Sequence, residues 1–349
     1  MSEPHPHPAT LDYPFAAPPA PGTTTRVAPG LHWLRMPLPF ALDHINLWLL
    51  EERDGFTLVD TGYGDAPTRA LWENHFATTM GGRPLVRIIA THYHPDHLGN
   101  AAWLAQHFGV PVTMTQAEFL TAHAIFDQRA THGSGDTCKL FAAHGMSAED
   151  VAAVAARGNH YQRGVPEVPS SLRRILAGDI VQAGGISWQV IPGYGHSPEH
   201  AALFAAAPNV LISGDMLLPK ISTNVSVWPS DPDGDPLGRF LDSLTAFEDL
   251  RPDALVLPSH GLPFRGIPLR VAQLRAHHDA RLAELQEAIT VAGSPVTAAQ
   301  MVPILFRRTL DLQQRFFAMG EAIAHLNYLW RRDRVRRTLA NDGTLRFAA

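Results

Sequence analysis

The chain has 349 residues, 45% of them hydrophobic and 17% charged, with a net charge of −5 and one cysteine. That length allows one large domain and a small second one; the lone Cys138 excludes an intramolecular disulfide and an all-thiolate metal site, and no apolar run approaches the roughly 20 residues that span a bilayer. Nineteen histidines are the compositional oddity, because imidazole is the commonest protein ligand for zinc-like metals.

Residues 1–25 are rich in Pro and Ala and lack a basic stretch followed by an apolar one, which predicts a poorly ordered leader, no secretory signal and a cytoplasmic location. "HINLWLLEE", the turn at Asp54-Gly55 and "FTLVDTG" predict a β-hairpin that ends at Asp60. Helical spacing over 66–80 precedes "LVRIIA", whose short, continuous apolar run predicts a strand buried on both faces. Directly after it comes "THYHPDHLGN", residues 91–100. "PDHLGNAAWLAQHFG" predicts one helix, with Pro95 at its start, Asp96 as N-cap and Gly109 as its stop. "VPVTMT" is the next strand, and residues 115–170 read as an inserted helical cap over one end of the sheet. Strands resume with "ISWQVIPGYG", "AALFAAAPNVLISGD" and "ALVLPSHG", with an amphipathic helix over 236–250 before the last. Such alternation argues for helices packed outside sheets.

Beyond residue 268 the strand pattern gives way to a long helix, two further helices and an Asn341-Asp342-Gly343 hairpin signal, which together predict a winged-helix-like domain over 269–349. Residues 270–349 hold twelve arginines against seven acidic residues, a balance of +5 that leaves −10 for residues 1–269.

Alternate residues of an extended chain share a face, so His92 and His94 can reach one ion. Asp96 and His97 follow where the chain turns into a helix, and can face a second ion beside the free N–H groups of the helix start. Four ligands from one loop do not complete two coordination spheres. Asp60, His196, Asp215 and His260 each follow an apolar strand and are the candidates for the remainder.

This ordered set, Asp60, "HYHPDH", His196, Asp215 and His260, resembles the metallo-β-lactamase superfamily of metal-dependent hydrolases over residues 30–268. The resemblance implies a layered α/β fold, an αββα sandwich of two mixed sheets over 26–268 with a dinuclear site at one edge. It implies that His92, His94 and His196 bind one divalent ion, that Asp96, His97 and His260 bind the other, and that Asp215 bridges them. Asp60 would orient the loop and the ligands without binding metal. Zinc is the expected metal, with iron or manganese as alternatives. Two cations sharing a hydroxide would supply a nucleophile at neutral pH, and Asp96, chiefly a ligand, would accept a proton or align it.

Cys138 lies outside any motif matching the thiolate-ligand antibiotic hydrolases, whereas two carboxylate ligands resemble the glyoxalase-II-like thioesterases, lactonases and RNA-processing members. "GHSPEH" departs from the form common in the first of these by carrying Glu199 where glycine is usual; Glu199 and His200 read either as supports of the ligands or as the start of the next element. "STNVSVWPSDPDGDPLGRFLDSL" and the arginine-rich tail are more similar to the branch called β-lactamase-like protein 2 and its bacterial relatives. A small-molecule ester or thioester hydrolase, acyl-CoA-like in substrate, is the leading reading, with Met216, Leu217, Leu218, Trp228 and the helical cap enclosing an acyl chain. A lactonase is one alternative. Another is a ribonuclease or phosphodiesterase, with Arg331, Arg332, Arg334, Arg336 and Arg337 neutralising phosphates. No membrane partner is expected, and a homodimer is left open.

Overall fold

In the computed structural model, which describes residues 10–349, alternation along the strands sorts the side chains into layers. β1 (Thr25–Ala28), β2 (Leu31–Pro37), β3 (His44–Glu51), β4 (Phe56–Val59), β5 (Leu85–Ile89), β6 (Val112–Met114) and β7 (Leu172–Arg174) form a seven-stranded sheet in chain order. It is antiparallel from β1 to β4 and parallel from β4 to β7. β8 (Ile180–Ala183), β9 (Ile186–Gly193), β10 (His200–Ala205), β11 (Val210–Gly214) and β12 (Leu255–Pro258) form a five-stranded sheet, antiparallel except for the parallel β11–β12 pair.

Leu31, Trp33, Trp48, Leu50, Val59 and Ile89 of the first sheet pack with Trp188, Val190, Leu203, Ile212 and Leu257 of the second in one buried cluster. The alternate residues Leu34, Met36, Ile45, Leu47, Leu49 and Leu58 turn the other way, onto Trp72, Leu104 and Ala122 of the helices Ala66–Ala77, Ala101–Phe108 and Gln116–Phe126. Ala202, Leu211 and Val256 on the far side of the second sheet meet Phe240, Leu274, Met301 and Leu326 of Pro236–Ser243, Ile267–Ala292, Ala298–Leu305 and Leu312–Trp330. Helix, sheet, sheet, helix is the resulting order of layers, because a strand with period two has two faces to bury. The hairpin of β13 (Arg336–Leu339) and β14 (Leu345–Ala348) turns at Asn341-Asp342-Gly343 and buries Phe347 in that same outer cluster.

Several local expectations change. The described part of the leader is docked on the body: Asp12 bridges Arg265, and Phe15 packs edge-on against Trp33 at 6.1 Å. β5 is not buried throughout, since Val86 is 38% exposed at its outer start. The single helix expected from Pro95 is broken into Pro95–Leu98 and Ala101–Phe108. A Cβ at Gly99 would lie 2.4 Å from the Gly164 carbonyl oxygen, and the Asn100 side chain turns away to donate to the Tyr63 carbonyl at 2.8 Å. Segment 115–170 is helical as expected, but β1, β2, β7 and β8 are strands for which no pattern was read.

Candidate metal centre

Every residue expected in the metal site lies where a strand ends on one edge of the sandwich: Asp60 after β4, 92–97 after β5, His196 after β9, Asp215 after β11 and His260 after β12. Their ligand atoms gather in two groups, His92, His94, His196 and Asp215 in one, and Asp96, His97 and His260 in the other, each within 4.8 Å. In the first, His92 Nε2 is 2.9 Å from His94 Nδ1 and 3.2 Å from His196 Nε2, which is 3.3 Å from Asp215 Oδ2. In the second, Asp96 Oδ2 is 3.6 Å from His97 Nε2 and 3.4 Å from His260 Nε2. Asp215 Oδ1 is 3.5 Å from both of those nitrogens. One carboxylate thus turns one oxygen to each group.

His94, not Asp96, occupies the N-cap of the short helix, and its carbonyl accepts from His97 N at 3.0 Å and Leu98 N at 2.9 Å. Asp96 sits inside the first turn, which leaves its carboxylate for the imidazoles.

The far ring nitrogens are held by the chain. His97 Nδ1 donates to Asp60 Oδ2 at 2.8 Å, His196 Nδ1 to the Asn224 carbonyl at 2.7 Å, and His260 Nδ1 to the His44 carbonyl at 2.8 Å. A proton on Nδ1 leaves the Nε2 lone pair free for a cation. Asp60 is 1% exposed, takes the left-handed conformation (φ 60°) that Asp tolerates, and also accepts from Thr91 N at 2.8 Å.

Burial and mutual repulsion push His92 and His94 well below the ordinary histidine value. Burial also opposes charge on His97, yet Asp60, Asp96 and Asp215 outweigh it and lift that pKa to about 9. Asp215 and Asp96 do the same for His260, up to about 10. Burial would raise Asp96, but His97 and His260 hold it down at about 2. The group is therefore built to pair buried carboxylates with positive charge.

A cation fits these residues. His97 Nε2 and Asp215 Oδ1 are buried without a hydrogen-bond partner. Ligands about 2.0–2.1 Å from a tetrahedral zinc lie roughly 3.3 Å from one another, and the distances within both groups bracket that spacing.

Three supports escaped the sequence reading. Glu118, fully buried on the helix Gln116–Phe126, accepts from Tyr93 N at 3.0 Å, Ser197 Oγ at 2.7 Å and Glu199 N at 2.6 Å, and so ties the loop of His92 and His94 to the loop of His196. Its burial raises the carboxyl to about 7 against the pull of those donors. Thr91 and Asn224 are the others, and none of the three carries a motif that separates it from its neighbours. His200 fills both of the roles expected for it: it is the first residue of β10, and its Nε2 accepts from Asp215 N at 3.2 Å. A Cβ at Gly214 (φ 53°) would stand 2.1 Å from that nitrogen, so only glycine admits the contact. Glu199 contributes its backbone.

The expected pocket residues are not gathered here. Met216, Leu217 and Leu218 are core, 0–2% exposed, because the chain turns inward after Asp215. Trp228 is half-buried, 5.8 Å from Phe316.

Residues 41–260 match the metallo-beta-lactamase superfamily. The chain belongs to that superfamily. Residues 282–349 match the metallo-beta-lactamase-like C-terminal domain. A crystal structure of a beta-lactamase domain protein from Burkholderia ambifaria is 48% identical, covers 97% of this chain and 98% of that one, and superposes with a TM-score of 0.89. A metallo-beta-lactamase family protein from Thermus thermophilus is 30% identical over 93% and 99% of the two chains, with a TM-score of 0.77. The probable metallo-hydrolase YqjP of Bacillus subtilis is 24% identical over 308 residues, 85% of this chain and 91% of that protein. The metallo-beta-lactamase fold of the chain, with its helices outside two mixed sheets, is what brings the seven ligand candidates to one edge. Among the described residues no helix is long and apolar enough to cross a membrane.

Proposed function

We propose that the protein is a dinuclear metal-dependent hydrolase of a small ester or thioester, with zinc as the first metal to test and iron or manganese next. The observation that carries this reading is Asp215, whose two oxygens face two separate sets of imidazoles at 3.3 and 3.5 Å. His92, His94 and His196 would hold one ion, Asp96, His97 and His260 the other, and Asp215 both. Ions held there would act as a Lewis acid and make water a nucleophile near neutral pH. The chain's part is to fix Nδ1 of His97, His196 and His260 as donors to Asp60 and to the Asn224 and His44 carbonyls, so that Nε2 is the atom turned to a cation, which would displace any proton there. Asp96, ionised at neutral pH and 18% exposed at its side chain, can accept a hydrogen bond at the solvent edge and so align the nucleophile.

A small substrate is favoured over RNA because the tail arginines already have acceptors. Arg331 donates to the Asp233 carbonyl, Arg332 to Asp235, Arg334 to Gln286, Arg336 to the Ala349 carbonyl and Arg337 to Asp233. Kinship with the β-lactamase-like protein 2 branch is part of this reading; the match of residues 282–349 is to a metallo-beta-lactamase-like C-terminal domain in general.

The test is metal analysis together with an aryl ester, acyl-CoA, lactone and RNA panel, run on the protein and on His94→Ala and Asp215→Ala. Two ions per chain and ester or thioester turnover are expected, with both lost or sharply reduced in the variants. Activity that survives both substitutions sinks the dinuclear reading, and cleavage of RNA alone transfers it to the phosphodiesterase.

A further inference from the structure

We infer that the helix Leu312–Trp330 belongs to the outer scaffold of the His196 ligand, with Glu321 as a positioning residue that acts through Asn224. The inference rests on the metal reading above for its consequence, but on separate contacts for its geometry.

Asn224 lies in the irregular chain between β11 and Pro236–Ser243, where no ladder or helix fixes the backbone. Its carbonyl accepts from His196 Nδ1 at 2.7 Å. Its side chain is held at both ends, with Nδ2 donating to Glu321 Oε2 at 2.9 Å and Oδ1 accepting from Ser226 Oγ at 2.8 Å. Val227 N donates to the Gly320 carbonyl at 3.1 Å. A Cβ at Gly320 would be 2.8 Å from Ser226, so the two segments touch backbone to backbone.

The same helix and the tail beyond it grip the rest of this connection. Asn327 Nδ2 donates to the Pro232 and Gly234 carbonyls at 3.0 and 3.1 Å. Arg331 reaches the Asp233 carbonyl at 2.8 Å, Arg332 reaches Asp235 at 2.7 Å and Arg337 reaches Asp233 at 2.7 Å. Arg331, Arg332 and Arg337 of the arginine-rich segment, with Asn327, thereby clasp chain 232–235, and Glu321 is the point of the same helix's grip next to the site. Fixing the Asn224 side chain fixes the direction of its carbonyl. A fixed carbonyl keeps the His196 proton on Nδ1 and its Nε2 turned to the first ligand group.

The experiment compares Glu321→Ala and Glu321→Gln with the unaltered protein by two readouts: competition with a chelator for zinc, and the ¹⁵N signals of the His196 imidazole in the metal-free protein. Glu321→Ala is expected to weaken one ion by about 10–100-fold and leave the other tight, and to release His196 from a single Nδ1–H tautomer. Glu321→Gln keeps an oxygen for Asn224 and is expected to restore both. Should Glu321→Ala fail to fold, Ser226→Ala, which removes the other hold on Asn224, is expected to give the same signature more weakly. Wild-type affinity for both ions with an unchanged tautomer overturns the inference, as does an equal loss at both ions with a lowered Tm. If the unaltered protein takes up no divalent ion, the metal reading fails, and the tautomer alone decides the role of Glu321.

Discussion

Asp60 illustrates how much one buried carboxylate can set. It stands outside both ligand groups, yet it accepts from His97 Nδ1, Thr91 N and Thr91 Oγ1, so it fixes the tautomer of one ligand and the start of the loop that carries three others. Asp60→Asn keeps the shape but replaces an acceptor oxygen by an amide donor and removes the charge opposite His97. Metal bound by Asp96, His97 and His260 is expected to weaken about 10–100-fold, measured by competition with a chromophoric chelator; unaltered affinity would remove Asp60 from the site's support. The ligand types themselves were legible because His and Asp at strand ends in that spacing have few other uses. Glu118 was not, since a lone Glu in a helical run looks solvated until the fold buries it against Tyr93, Ser197 and Glu199.

Among the elements, the helix start after β5 and the paired helices of the outer layer behave differently from their local patterns. Spacing alone continues the helix through Gly99 and Asn100, but Asn100 leaves helical geometry (φ −105°, ψ 7°) with its side chain bound to the Tyr63 carbonyl. In the outer layer, His278 and His325 from Ile267–Ala292 and Leu312–Trp330 are both fully buried, with their rings 5.3 Å apart and Nδ1 of one 3.2 Å from Nε2 of the other. Burial first, and then neighbouring His277 and each other or Arg281, lowers them to about 3 and about 4 from the ordinary 6.5. Between those values the unfolded chain binds protons that the folded chain refuses. Their contribution is therefore fully present above about pH 6.5 and is lost as the pH falls toward 4. On the acid side, below about pH 6, the Tm of metal-free protein is expected to fall less steeply in His325→Gln than in the unaltered protein; equal acid slopes would contradict this.

At the scale of the molecule, buried packing crosses the expected boundary near residue 268, which lies between the two family matches at 41–260 and 282–349. One buried cluster runs from Leu211 and Met216 through Phe240 and Leu282 to Leu326 and Phe347. Leu326→Ala is expected to cost about 2–5 kcal/mol, as a cavity in a close-packed core does. Because the cluster is shared, the loss should shift a single denaturant transition seen alike by tryptophan fluorescence and far-UV circular dichroism. Two separated transitions would mean that residues 269–349 unfold on their own.

The amino-acid sequence by itself determined which residue types stand at the strand exits of the candidate site and most of the strands and helices, because both are local: residue types after apolar runs, periods of two and 3.6, and turn residues such as Asn341-Asp342-Gly343. It could not assign Glu118, Thr91 and Asn224 as supports, the helix break at Asn100 or the burial of Met216, Leu217 and Leu218. Those depend on segments far apart in the chain, as Glu321 is from Asn224 and Glu118 from Glu199. Only tertiary packing brings such partners within hydrogen-bond reach, and only burial makes their hydrogen bonds and charges decisive.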